Sequence, residues 1–269
     1  MAFHDDVALQ DLGGGSFSTE IIDNYWIVAG PNGGYLGALL ANAGDLHVAK
    51  TSHQLRSLTI HYLLPPKLGP VNINVETVRS GKSVDFLRLE MTQMNILVLV
   101  ATGVWASSNG SIEAPQLPML EVPPPESCPA GVRLTETPTR LHEQWEIRSV
   151  DRSHHLKNSS KDSDLGLNLT WWIRPATETP ISSSLIVAIA DALPPPIFVT
   201  SQKLRLVPTI DLTVHIRANL SSSTWGNRSW VLANFSTTHA SEGFIEEDGL
   251  IWHQDGTLLA MSRQLALVR

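Results

Sequence analysis

The chain is poor in cysteine, in charge and in long apolar runs, and each shortage removes a class of protein. One cysteine in 269 residues, Cys128, allows no internal disulfide, and no Cys/His spacing of a zinc site occurs. The N-terminal MAFHDDVALQ has no basic segment followed by an apolar one, so it does not read as a signal peptide. The longest apolar stretch, MNILVLVATGVWA at 94–106, is too short to span a bilayer as a helix. The C-terminal ALVR is not a peroxisomal address. A cytoplasmic location follows as the expectation, and Asn-x-Ser/Thr triplets such as that at Asn158 then read as chance. Charged residues make up 17% and the net charge is −7, which argues against nucleic acid or an anionic membrane as a partner. What is present is a 42% hydrophobic composition, enough for a sizeable core.

The chain repeats itself. LTIHY starts at Leu58 and LTVHI at Leu212, 154 residues on (212 − 58). An apolar helix-like run precedes each: GGYLGALLANAG (33–44) and SSSLIVAIADAL (182–193). Both runs are apolar nearly all round, as a buried helix is. Gly33-Gly34 marks the start of the first and Gly44 its expected end, while Pro194-Pro195-Pro196 stops the second. Period-two alternation marks strands: Leu58, Ile60, Tyr62 and Leu64 on one face, then Val71, Ile73 and Val75, then Leu87, Leu89 and Met91. The second half adds EQWEIRSV (143–150), LNLTWWIRP (167–175), SWVLANFSTT (229–238) and a hairpin in 250–268 turning at Asp255-Gly256. The expectation is an α+β chain of two repeats, each a buried central helix wrapped by an antiparallel sheet. The first unit is placed at 1–106 and the second at 143–269, joined by a Pro-, Ser- and Glu-rich linker at 107–142. The stretch 151–164, with His154 and His155, reads as a polar loop without a metal role.

GPNGGYLGALLANA, the strand run from LTIHY to LEMTQ, WWIRP, ADALPPPIF, TIDLTVHIRA and DGTLLAMSRQLALV come in an order that resembles the double-hotdog acyl-CoA thioesterases, most of all the thioesterase II branch. The resemblance runs from about residue 15 to the end, the linker excepted. It implies a catalytic set of Asp191, Thr209 and Gln264, all from the second half. Asn42 falls on the first-half counterpart of Asp191, so one site per chain is expected.

Those residue types suit thioester hydrolysis, which needs a positioned water, a group to take its proton and donors for the oxyanion. A carboxylate in an apolar helix has its pKa raised toward the working pH. Thr209 and Gln264 can orient that carboxylate or the water without adding charge. Asp211, by alternation, shares the strand face of Thr209. The first helix, starting at Gly33 and Gly34, presents free N–H groups as an oxyanion site, although a tight turn before a helix explains the glycines equally well. Arg79 and Lys82, around a turn glycine, are candidates for coenzyme A phosphates, or else a solvated hairpin end. No G-x-S-x-G elbow occurs, so direct water attack or an aspartyl nucleophile is expected, and the two stay open. No cofactor is implied beyond coenzyme A as part of the substrate. A homodimer is left open, because hotdog sheets pair edge to edge. Two other readings stay open: a tailoring enzyme (dehydratase, isomerase or cyclase) on a polyketide-like acyl substrate, and a non-catalytic acyl-binding protein. The hydratase motif Asp-x4-His is absent, since Pro196 lies five residues after Asp191.

Overall fold

The computed structural model describes residues 2–28, 30–48, 50, 52–108, 110, 114–130, 139–150, 167–199, 206–220 and 225–268. The loop at 151–164, with His154, His155 and Asn158, lies outside the described residues. The first half comprises α1 (Phe3–Asp6), β1 (Gln10–Gly13), β2 (Ser16–Ile21), α2 (Gly33–His47), β3 (Gln54–Tyr62), β4 (Gly69–Ser80), β5 (Val84–Gln93) and β6 (Ile96–Ala106). The second comprises β7 (Trp145–Ser149), β8 (Leu167–Pro175), α3 (Ser183–Ile189), β9 (Thr209–Ile216), β10 (Val231–Thr237), β11 (Ala240–Ser241), β12 (Phe244–His253) and β13 (Leu258–Leu267).

The strands form one antiparallel sheet in the order β1-β2-β4-β5-β6-β3-β9-β13-β12-β10-β8-β7, with β11 paired to β12. The order reads the same from both edges, so each half builds its sheet alike and the halves meet at β3 and β9. There Thr59 pairs with Thr213, Leu58 with Val214 and Ile60 with Leu212. The separation of Thr59 and Thr213 is 154 residues, the period of the sequence repeat, and their hydroxyls meet at 3.0 Å. A pseudo-twofold axis therefore passes through this pair. Both joining strands carry a bulge at the equivalent place: pairing skips Arg56 in β3 and Ile210 in β9.

The alternation governs burial as expected. Val71, Ile73 and Val75 are inside while Asn72, Asn74 and Glu76 are outside, and Leu87, Leu89 and Met91 are inside. Leu64 departs from it: β3 ends at Tyr62, Leu63 and Leu64 both turn their N–H to the Val98 carbonyl, and Leu64 is exposed.

The two helices lie side by side and antiparallel. Near the C-terminus of α2, Asp45 accepts from Ser183 at the start of α3, and at the other end Gly34 abuts the Ala188 carbonyl. Asn32 caps α2, its side chain accepting from the Tyr35 N–H at 3.0 Å. Gly44 does not end this helix, which continues to His47. Its glycine answers a packing demand, because a Cβ there would sit 2.1 Å from the Trp105 ring. The second helix is shorter than its apolar run. It ends at Ile189, and Asp191 lies in the turn beyond, its N–H bonded to the Ala188 carbonyl at 3.3 Å. On the outer face of the second half, residues 119–128 cover Trp172, Trp230, Leu232 and Trp252, with the Trp172 indole donating to the Pro123 carbonyl at 2.9 Å.

Candidate active site

Where the end of α3 meets the start of α2, the Asp191 carboxylate is half-buried. Its Oδ2 accepts from the Gly34 N–H at 2.9 Å and from the Asn32 Nδ2 at 3.1 Å, and the same Asn32 amide donates to the Asp191 carbonyl at 2.7 Å. Gly34 permits this approach, since a Cβ on it would lie 2.5 Å from the Ala188 carbonyl oxygen. The Asn32 side chain is thus used at both ends, capping α2 with its oxygen and holding Asp191 with its nitrogen. Tyr62 closes the other side: its hydroxyl donates to the Gly33 carbonyl at 2.9 Å, and its ring lies against Gly33.

Burial raises the Asp191 pKa to about 6, although bonds from the Gly34 backbone, the Gln264 amide and the Asn32 amide pull the other way. The carboxyl is therefore ionised at neutral pH yet basic enough to accept a proton.

Thr209 and Gln264 join Asp191 from neighbouring strands of the second half. The bulge at Ile210 sets Thr209 opposite Ala266, two residues beyond Gln264 on the same face of β13. The Thr209 hydroxyl then donates to Gln264 Oε1 at 2.9 Å. Asp211 pairs with Leu265 and so falls on the other face from Thr209, a correction to simple alternation that the bulge explains. Gln264 is buried, 3% exposed, and its Nε2 donates to Glu247 Oε1 at 2.5 Å.

Sequence reasoning did not find Asn32, Tyr62 or Glu247 as members of the site. An asparagine directly before a helix was a capping signal for the first. For Glu247 the signal was the alternation of Ile245, Glu247, Gly249 and Ile251 on the inner face of β12, a strand that starts at Phe244, ahead of the hairpin read at 250.

The expected oxyanion donors face a different partner. The Gly34 N–H is engaged by Asp191, and the Gly33 backbone also bonds toward that carboxylate. Arg79 and Lys82 do not converge on the site. They lie at the β4–β5 turn beside the far end of α2, where His47 meets the Thr77 hydroxyl at 2.9 Å. The 15 residues of α2 span about 22 Å at 1.5 Å each, which separates that turn from Gly34. The turn is tied instead to a structural cluster, with Asp85 accepting from Lys50 at 2.9 Å, Ser80 at 2.6 Å and His53 at 2.7 Å. Among the described residues no group of three His, Cys, Asp or Glu side chains is placed to hold a metal ion.

The first half lacks the polar set. Carried across the pseudo-twofold by strand register, Thr209 corresponds to Leu55, Gln264 to Gly103 and Glu247 to Leu87. Trp105 fills the equivalent space, opposite Leu55 and against Gly103. Asn42 turns away to the Val7 carbonyl at 2.7 Å.

Comparison with known proteins agrees with this architecture. The acyl-CoA thioesterase N-terminal domain profile matches residues 22–106, and the acyl-CoA thioesterase C-terminal domain profile matches 125–268. Among solved structures, a conserved protein of unknown function with the hot dog fold from Alicyclobacillus acidocaldarius is 26% identical, with a TM-score of 0.87, 99% of this chain and 97% of that one covered. An acyl-CoA thioesterase II from Mycobacterium marinum is 19% identical at a TM-score of 0.78 over 100% and 98%. A TesB protein from Mycobacterium avium subs paratuberculosis is 17% identical at 0.77 over 99% and 98%. No curated protein sequence matches significantly. The fold is a double hotdog.

Proposed function

The chain belongs to the acyl-CoA thioesterase family, and from that premise we propose that it hydrolyses an acyl-CoA or related acyl thioester at Asp191. The observation that carries this reading is a carboxylate held by Gly34 and Asn32 at a helix N-terminus and raised by burial to about 6. With Oδ2 engaged, Oδ1 is the oxygen offered to a water. That water adds to the thioester carbonyl carbon as its proton passes to Asp191. The C–S bond then breaks, and the departing sulfur takes the proton, leaving free acid and thiol. Gln264, oriented through Thr209, holds the carboxylate and the water in register without a second charge. We assign no oxyanion role to Gly34, whose N–H is occupied.

The test is thiol release from acetyl-, hexanoyl- and palmitoyl-CoA. Wild type should turn over at least one of them. Asp191→Asn, which keeps the size and an acceptor but cannot take the proton, should lower kcat/KM by on the order of 10²–10⁴. Equal thiol release by the variant would end this reading. A thioester that survives while the acyl skeleton changes would replace hydrolysis with a tailoring reaction.

A further inference from the structure

Glu247 is a carboxyl group that the hydrolytic reading does not use. It is 3% exposed, its Oε1 accepts from Gln264 Nε2 at 2.5 Å, and its Oε2 has no partner among the described residues. A buried carboxylate with an unpartnered oxygen is costly when charged, whereas a carboxylic acid is far less so. Gln264 faces it from β13. From β10, Ser236 pairs with Asp248, so one further step along the antiparallel register sets Thr237 opposite Glu247. The Thr237 hydroxyl is also buried and without a partner among the described residues. The charges acting on Glu247 are those of Asp191 and Asp248, both negative. Asp248 itself points to the other face, where Arg263 donates to it at 2.6 Å.

We propose that Glu247 is a positioning residue of this site, a neutral carboxylic acid whose Oε1 fixes the Gln264 amide. With Nε2 drawn to Glu247, Gln264 Oε1 is turned to the Thr209 hydroxyl, and the second amide proton is left for Asp191. A free amide could flip and exchange these roles. The repeat supplies an independent argument: where the first half has Leu55 and Gly103 in place of Thr209 and Gln264, it has Leu87 in place of Glu247, so the glutamate occurs with the polar set. Burial, reinforced by the Asp191 charge, lifts its pKa to about 8, above the range in which Asp191 titrates.

The proposal rests on the hydrolytic reading, and the pH dependence of kcat/KM tests both. Glu247→Gln keeps the acceptor without the ionisable group. Because Glu247 is already neutral near pH 6, this variant should leave the midpoint of the acid limb within about 0.3 of wild type and keep kcat within about threefold. Were Glu247 an anion there, removing its charge would move the midpoint down by about 1 unit or more, which would overturn the proposal. Glu247→Leu, the residue the first half carries at this position, removes the acceptor and should lower kcat by about 10- to 100-fold with KM within about twofold. Wild-type kcat in Glu247→Leu also overturns it. Asp191→Asn, assayed beside them, separates the failures. Full activity there removes Asp191 as the base and with it the hydrolytic reading of this site, whereas loss there with full activity in Glu247→Leu removes only the role of Glu247.

Discussion

Asp191 sits in a state that favours chemistry over stability, and its pH dependence should show both. As the proposed base it must be ionised, so kcat/KM should fall as pH drops through about 6 and level off above it. A profile from pH 4.5 to 8 reads this directly; a plateau reaching to pH 4.5 would contradict it. For folding the sign is opposite. The group's folded pKa lies above its ordinary value of 3.8, so the native state holds the proton longer than the unfolded chain. Stability contributed by Asp191 is full below about 4 and declines as pH rises through about 6. Asp191→Asn should therefore melt above wild type at pH 7.5, with the gap closing toward pH 4. Asp191 was legible because a carboxylate interrupts an apolar run, and Thr209 and Gln264 through the ordered fragments of the resemblance. Asn32 and Glu247 were not, since their roles depend on partners far along the chain: Asn32 bonds a residue 159 positions away.

At the level of elements, the helices show where local signals and packing disagree. Glycine reads locally as a stop, but Gly44 stays inside α2 because Trp105 occupies the space of a side chain. Gly34 answers to α3 in the same way. Gly34→Ala would gain up to about 1 kcal/mol of helix propensity. It would also drive a methyl to 2.5 Å from the Ala188 backbone oxygen. Overpacking against backbone costs about 1–3 kcal/mol, so the net should be a lower Tm. Activity should fall with it, as the Gly34 N–H moves from Asp191. Thermal melts and thiol release on the same samples check this; a more stable, fully active variant would refute the close approach. The strands were easier to read, since one buried face leaves a period of two. Their register was not, because a single skipped residue at Ile210 puts Thr209 and Asp211 on opposite faces, and alternation carries no mark of it.

For the whole molecule, the decisive feature is that the site takes residues from both halves: Asn32 and Gly34 from one, Asp191, Thr209 and Gln264 from the other. The halves are joined by the β3–β9 pairing and by the contact of α2 with α3, while residues 114–118 are exposed. A protease site placed at 114–118 and then cut should leave the two pieces co-eluting and active. Separation into inactive fragments would show that the peptide connection, not the seam, holds the halves. The seam at Thr59 and Thr213 has one more consequence. In the intact chain both contributors to the site stay tethered, so the proposed activity, per molecule, should not decline as the protein is diluted into the picomolar range. In the nicked protein the same encounter becomes bimolecular, and turnover should acquire a threshold in concentration.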